Sequence, residues 1–364
     1  MHNLFFTIAG SLFGKNYFLY HLLTFTIHIF CGFFVYKVIG KIARGKGSAI
    51  LGGLLYTISP IHFVSLFWIS GGATILGFFF LIASFYSYLE KRFKLSFILF
   101  LIALLASEAM VVGIIIFLAW EIVNNKKVGK FLLSIGSLSL VFTVVRTTLL
   151  NPGSVSESYK LDFSKNVFLA FKYYVLRIFW AVDSGDMILI KSVSLILMAI
   201  IISFAFYLFL KNRDRDPLIF LAAVILCGFF PFILIPNHLS PHYMNISTFG
   251  LAMLGGITLC RSNNYFASLM ITALILLSVL SVENYTKTHW VVMRANLSRV
   301  YIEKIEMQKL PYGSAITFGD SHISTSKEAY ISLGQGKALD FWFKGKNYKS
   351  CFNFYQKCPD LNLR

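Results

Sequence analysis

The sequence predicts an all-α polytopic membrane protein of about ten transmembrane helices, followed by a small extracytoplasmic α/β tail. Two observations predict this class. Of the 364 residues, 57% are hydrophobic and only 13% are charged, a charged share about half that of a typical soluble domain. Apolar runs long enough to cross a bilayer recur up to position 283, and they lack the alternation of a barrel strand. We therefore divide the chain into a multi-span membrane domain (1–283) and a small C-terminal region (284–364).

Apolar runs of the first region predict the membrane-spanning helices. They lie at 17–40, 46–59, 72–89, 95–107, 108–124, 131–150, 187–210, 217–235, 246–260 and 265–282. A further run, 166–181, carries Lys172 and Arg177 among aromatic residues, so a helix there suits the membrane interface better than the bilayer core. In the tail, the pattern predicts a helix at 296–310, a strand at 314–318 and an aromatic-rich segment at 337–343.

The basic residues predict the orientation of the chain. The formal net charge is +17, a value that by itself would also suit a protein that binds nucleic acid or lipid headgroups. The lysines and arginines of the first region, however, concentrate in every second loop: Lys37, Lys41, Arg44, Lys46; Lys91, Arg92, Lys94; Lys126, Lys127, Lys130; Lys211, Arg213, Arg215; Arg261. Cytoplasmic loops carry such an excess. We therefore expect no nucleic-acid partner, and a C-terminal tail outside the cytoplasm.

The cysteines fall into two groups. Cys31, Cys227 and Cys260 lie in apolar runs, where we expect small buried side chains. Cys351 and Cys358 lie in the polar tail. Outside the cytoplasm this pair could form a disulfide, and free thiols are the alternative. Two thiols at this spacing are a weak signal for zinc.

The apolar stretch 51–108 contains a break. A helix is expected to stop at Ser59-Pro60, and a short amphipathic piece follows over 61–70. Proline cannot donate a backbone hydrogen bond, and it disfavours helix in the residue before it. In a bilayer, a broken backbone is stable only at the interface, along a cavity or against other parts of the protein. The break therefore predicts a candidate site.

Side chains suited to recognition or catalysis are predicted to meet on the side of the membrane where this break lies. They occupy expected turns or helix ends: His62, Trp68, Ser70, Glu108, His238, His242 and Tyr243. A helix N-terminus on that face would also favour a phosphate. Two of the residues have simpler interpretations, because Trp68 could be an interfacial aromatic residue and Glu108 could cap a helix.

Four further ionisable residues lie within or beside the expected spans, where charge is unfavourable and often functional. His21 and His28 are seven residues apart and share one helix face. They are either part of a site or hydrogen-bonded to neighbouring helices. Because this spacing is wide for a metal pair and no carboxylate accompanies it, we expect no metal site. Asp183 and Asp186 could mark a turn or act in catalysis.

The residues alone carry no signature of a soluble enzyme. We find no glycine-rich phosphate loop, nucleophile elbow, zinc-protease motif or paired-carboxylate motif. From composition and spacing, the broken-helix face is expected to bind a ligand at the membrane surface, without a defined chemistry.

Four short motifs narrow this expectation. In chain order they are Tyr20-His21-Leu22 with His28, Ser59-Pro60-Ile61-His62 through Trp68-Ile69-Ser70-Gly71, Leu105-Ala106-Ser107-Glu108, and Pro241-His242-Tyr243-Met244-Asn245-Ile246-Ser247. In this order they resemble motifs of the GT-C superfamily of polytopic glycosyltransferases. The nearest resemblance is to the protein O-mannosyltransferase-like branch, which includes tetratricopeptide-containing members. The resemblance covers about residues 10–283.

The resemblance implies a function for the membrane domain. Such a protein transfers a sugar from a polyprenyl-phosphate-linked donor to an acceptor on the non-cytoplasmic face, here in a prokaryotic plasma membrane. The donor is a substrate, and no cofactor is implied. Membrane lipids and the lipid-linked donor are the expected partners, and the acceptor and the sugar stay open. By the matching motifs, the substrate-binding residues would be His62, Glu108, His242, Tyr243, Trp68 and His21.

Departures from the family pattern leave a second function open. The family's catalytic acidic residue and first helix would fall before Met1, so we expect an N-terminally truncated frame and assign no catalytic base. Ser107 replaces the usual lysine before Glu108, and His242 replaces an arginine. The alternative is a non-catalytic membrane subunit or lipid-carrier-binding scaffold. A transporter or flippase ranks last, because the expected spans contain few mid-span charges besides Lys191.

Overall fold

The structure is a computed structural model of the whole chain. It describes residues 2–125, 129–146, 148, 160–178, 188–211 and 215–358. The chain divides into two compact units, Met1–Val282 and Glu283–Arg364. Asp183, Asp186 and the basic residues Lys126, Lys127 and Arg213 lie outside the described residues.

The first unit is mostly helical in its described part. Its helices are α1 (His2–Phe13), α2 (Tyr17–Ala43), α3 (Lys46–Ile58), α4 (Phe63–Phe67), α5 (Gly72–Leu89), α6 (Phe93–Ala106), α7 (Ile114–Trp120), α8 (Lys130–Val145), α9 (Asn166–Ile178), α10 (Ile188–Leu210), α11 (Arg215–Phe229), α12 (Asn245–Arg261) and α13 (Asn264–Thr288). These bounds lie close to most of the apolar runs predicted from the sequence. The helical class is confirmed.

Seven helical segments of the described residues are long and apolar enough to cross a membrane. They are Tyr17–Ala43, Lys46–Phe67, Ile69–Leu89, Ile190–Leu210, Arg215–Leu234, Pro241–Arg261 and Asn264–Gln308. These apolar helices support a membrane protein. Three of the expected spans correspond to α-helices that are shorter than these seven segments: α6 has 14 residues, α8 has 16 and α7 has 7. The count of about ten spans therefore stays a prediction.

Helix α12 is the most enclosed of these segments, with 89% of its apolar window buried. It packs against α3 in antiparallel fashion: Gly47 at the start of α3 approaches Cys260 at the end of α12, and Gly52 approaches Ala252. A Cβ atom on Gly256 would lie 2.4 Å from the carbonyl oxygen of Ser48. Glycine is therefore required at this crossing, where the two backbones touch. The packing brings the last residues of α3 beside the first residues of α12.

The second unit holds a small sheet with helices. Its elements are α14 (Trp290–Gln308), β1 (Ala315–Phe318), α15 (Ser326–Ser332), α16 (Lys337–Trp342) and β2 (Lys349–Phe352). The two strands pair in parallel, from Ala315 opposite Lys349 to Phe318 opposite Phe352. Their apolar side chains pack with Ile305 of α14. The predicted strand is present, and the predicted helix begins earlier than expected because His289 caps its N-terminus by accepting from the Val291 amide.

The arrangement of the cysteines agrees with the expectation only in part. Cys351 and Cys358 form a disulfide, the first of the two alternatives. Cys31 is buried, as expected, but Cys227 and Cys260 are exposed on the protein surface. The expectation of burial was wrong for these two, because an apolar helix in a membrane protein can turn apolar side chains outward as well as inward.

Candidate functional site

The first break in the helical backbone follows α3. Ser59 has an extended backbone conformation, with ψ at 125°, as expected for a residue that precedes proline. The chain then forms a 3₁₀ turn at Pro60–His62, the short helix α4, and a second 3₁₀ turn at Ile69–Gly71 before α5. His62, buried in the first turn, therefore lies on a non-helical connection, as the sequence predicted.

The second break separates α11 from α12. Three 3₁₀ turns, Phe230–Leu234, Pro236–His238 and Pro241–Met244, follow one another there, each with a proline in its first two positions. Proline suits that position, since the first N–H of a helical turn has no partner within the turn. His242 lies in the last turn, and Asn245 begins α12.

The antiparallel packing of α3 and α12 brings the two breaks into contact. Nδ1 of His62 and Oδ1 of Asn245 are 3.0 Å apart, although the residues are 183 positions apart in the chain. Both side chains are buried, with 0% and 1% of their surface exposed. A hydrogen bond between two such groups holds the breaks in register.

A set of buried polar side chains surrounds this hydrogen bond. We call His28, Tyr56, His62 and Asn245 the buried polar cluster. The ring of His62 lies 4.6 Å from that of His28 and 4.5 Å from that of Tyr56, measured between centroids. Nε2 of His28 lies 3.0 Å from the carbonyl oxygen of Thr57. Three helices and the first break therefore contribute to one polar region within the apolar core.

A second group of side chains lies along the two breaks. We call Trp68, His238, His242 and Tyr243 the histidine–aromatic cluster. The ring of His242 lies 4.2 Å from that of Tyr243, 6.1 Å from that of Trp68 and 6.5 Å from that of His238. His242 is buried, whereas Trp68 is 36% exposed, so the cluster reaches the surface of the protein.

The two histidines of this second cluster have different surroundings. Nδ1 of His242 lies 2.5 Å from the hydroxyl oxygen of Ser240. Partial burial lowers the pKa of His238 below its usual value, because desolvation disfavours the charged imidazolium. His238 is therefore neutral at pH 7 and can both donate and accept a hydrogen bond.

Four of the six residues predicted to bind substrate meet at the joined breaks: His62, Trp68, His242 and Tyr243. A fifth, His21, lies at their flank, where its Nδ1 is 3.1 Å from the carbonyl oxygen of Leu66. His21 and His28 thus each contact a backbone carbonyl of a neighbouring segment, which matches the simpler of the two interpretations. Ser70 is half-buried in the turn before α5.

Glu108, the sixth predicted residue, forms an ion pair away from the two clusters. Its Oε2 accepts a hydrogen bond from Nε of Arg146, 2.8 Å away, in an exposed ion pair. No described hydrogen bond or ion pair joins it to a histidine of either cluster. A role for Glu108 in substrate binding therefore stays a prediction.

Exchanging either partner of this ion pair tests how much it contributes. We expect Glu108→Gln and Arg146→Gln each to lower the free energy of unfolding by less than about 1 kcal/mol, since exposed ion pairs are weak. Denaturant unfolding of the purified full chain measures this. If Glu108→Gln abolished binding of a lipid-linked sugar while Arg146→Gln did not, the carboxylate would belong to the ligand site rather than to the ion pair.

Three residues of the site were not nominated from the sequence: Tyr56, Ser240 and Asn245. Each is a polar side chain within a few residues of a proline break, in an otherwise apolar context. That combination is the signal by which they could have been found. Among the described residues, no group of three or more histidine, cysteine or acidic side chains could hold a metal ion.

Comparisons with family models, curated proteins and solved structures found no match to this chain. The resemblance of the four motifs to the GT-C superfamily therefore stays a prediction.

Proposed function

We propose that the membrane unit binds a polyprenyl-phosphate-linked sugar where its two breaks meet, and that the chain is a membrane glycosyltransferase-like protein. It would transfer the sugar to an acceptor on the non-cytoplasmic face. One observation carries the proposal: the packing of α3 against α12 joins two non-helical segments, each rich in polar and aromatic side chains. Irregular backbone between membrane-spanning helices is characteristic of sites that bind ligands within membrane proteins.

The chemistry of such a donor suits the joined breaks. A polyprenyl chain needs an apolar surface, which the outward-facing side chains of the spans provide. A phosphate is favoured at the N-terminus of a helical segment, and the turn Pro241–Met244, which continues directly into α12, begins at the junction. The sugar needs hydrogen-bonding groups beside aromatic faces, as His242, Tyr243 and Trp68 offer.

The distribution of charge supports a site on the non-cytoplasmic face. Arg44 and Lys46 flank the start of α3, and Arg261 ends α12, all at the opposite end of the helix pair from His62. Basic residues mark the cytoplasmic side. The joined breaks would then face away from the cytoplasm, where polyprenyl-phosphate sugars serve as donors in the superfamily that the motifs resemble.

A second candidate function is a non-catalytic membrane subunit that binds the lipid carrier. It is favoured by the absence of an acidic side chain from both clusters as the structure describes them, since sugar transfer to a hydroxyl is assisted by a carboxylate base. Glu108 is engaged with Arg146 instead. Binding of the carrier is common to both functions, and transfer distinguishes them.

Binding can be measured on the purified full chain in lipid nanodiscs. The probes are short-chain polyprenyl-phosphate glucose and polyprenyl-phosphate mannose, each carrying a fluorescent label. We expect Trp68→Ala to weaken binding about tenfold or more, because it removes an aromatic wall of the site. Trp290→Ala is a matched control, since Trp290 lies in the second unit and is 37% exposed, against 36% for Trp68.

The outcomes separate the two functions. Binding with release of polyprenyl phosphate and transfer to an acceptor would support the glycosyltransferase. Binding without transfer, in the presence of membrane extract as a source of acceptors, would support the carrier-binding subunit. Failure of the unmodified chain to bind either probe would overturn both.

A further inference from the structure

The buried polar cluster contains more hydrogen-bonding groups than its own contacts satisfy. His28, Tyr56, His62 and Asn245 are each at most 3% exposed. Nδ1 of His28, the hydroxyl of Tyr56, Nε2 of His62 and Nδ2 of Asn245 have no hydrogen-bond partner. A buried polar atom without a partner is costly, and the hydrocarbon around a membrane protein has no hydrogen-bonding group that could satisfy it. Four such atoms in one contiguous cluster imply an occupant.

The protonation of the rings defines what the occupant must offer. Nε2 of His28 faces the carbonyl of Thr57, which can only accept, so Nε2 carries the proton and Nδ1 presents a lone pair. His62 and Asn245 share one hydrogen bond through Nδ1 and the amide. Whichever way the amide is turned, one of its polar atoms and Nε2 of His62 remain unpaired. The cluster therefore presents both acceptors and donors.

The cluster is also without formal charge. No lysine, arginine, aspartate or glutamate side chain among the described residues hydrogen-bonds to these four side chains. A lone pair on His28 would repel an anion, and a cation would find no carboxylate. A hydroxyl group, which donates one hydrogen bond and accepts others, matches this mixture.

We infer that the buried polar cluster is a binding site for a hydroxyl-bearing group: an ordered water molecule, or a hydroxyl of the donor sugar. The second source rests on the proposed function, and the first does not. The rings of His28, Tyr56 and His62 are in mutual contact, with centroids 4.5–5.6 Å apart, so their polar atoms belong to one contiguous group.

Removing one hydroxyl from the cluster tests the inference by the sign of its effect. Tyr56→Phe keeps the ring and its stacking on Phe78 but deletes the oxygen. We would measure the Tm of the purified full chain without lipid and with saturating sugar-bearing lipid. If the cluster is occupied in either condition, the variant loses a hydrogen bond there, and we expect its Tm to fall by about 2 °C or more. If the cluster is dry, the variant removes an unpaired polar atom and its Tm should stay equal or rise. Tyr265→Phe, at a side chain that is 88% exposed, is the matched control.

Ligand binding then distinguishes the two sources. We would compare the Kd of Tyr56→Phe for polyprenyl-phosphate glucose, polyprenyl-phosphate mannose and sugar-free polyprenyl phosphate. A Tm that falls for Tyr56→Phe only with a saturating sugar-bearing lipid, together with weaker binding of that lipid, would identify a sugar hydroxyl. A Tm that falls without added lipid, with unchanged binding of all three, would identify water. If the unmodified chain bound none of them, the proposed function would fail, while the change in Tm would still decide the inference.

A direct measurement complements these variants. An experimental density map at better than about 2 Å should contain an oxygen within about 3.2 Å of Nδ1 of His28. An empty cluster in maps obtained both without lipid and with a sugar-bearing lipid, or a Tm that falls for Tyr56→Phe in neither condition, would overturn the inference.

Discussion

Replacing Gly256 with alanine is expected to lower the free energy of unfolding by about 3 kcal/mol, the upper part of the range for overpacked cores. The new Cβ would lie 2.4 Å from the carbonyl oxygen of Ser48 and 2.8 Å from the amide nitrogen of Gly52. Both are backbone atoms of α3, so no side-chain rotation can relieve the contact. The helices must separate, and the register between the two breaks would change with them.

The neighbouring glycine is the matched control. A Cβ on Gly255 would meet Cδ1 of Leu55 at 2.6 Å, and that atom ends a flexible side chain. We expect Gly255→Ala to lower the free energy of unfolding by less than about 1 kcal/mol, because the leucine can change rotamer. Denaturant unfolding of the two variants in the same detergent measures the difference. Equal losses would show that the backbone contact of Gly256 does not control this crossing.

Breaking the hydrogen bond between His62 and Asn245 is expected to have the second large effect. Asn245→Leu leaves the imidazole of His62 buried without its partner, and His62→Phe leaves the amide of Asn245 in the same state. Each single variant should lower the free energy of unfolding by about 2–3 kcal/mol. In the double variant, the free energy of unfolding should fall by about 1–2 kcal/mol less than the sum of the losses of the two single variants, because neither group is left unpaired.

The double-mutant cycle requires four proteins and one measurement, the free energy of unfolding of each in the same detergent. A coupling of at least about 1 kcal/mol would confirm that the two residues interact directly. Additive losses would mean that the contact makes no energetic contribution and that the two breaks are held together by α3 and α12 alone. A control cycle on Asn245 and Ser139, which hydrogen-bonds within its own helix α8, should be additive.

Much of the architecture followed from local signals in the sequence. The apolar runs predicted the long helices, because a bilayer leaves few other arrangements for such segments. Pro60 predicted the first break, since proline limits its own backbone and that of the residue before it. These features depend on a few adjacent residues. The location of most site residues on connections rather than within helices could be predicted for the same reason.

The tertiary structure alone decided which of these residues meet. The close crossing of α3 and α12 at Gly256 joins His62 to Asn245 across 183 positions, and nothing in either segment specifies its partner. Tyr56 joins the cluster from α3, and the packing of α2 against α3 adds His28. The tertiary structure also pairs Glu108 with Arg146, although the sequence motif grouped Glu108 with the histidines. Such contacts depend on the complementary shapes of distant helices, a property that local composition and spacing do not encode.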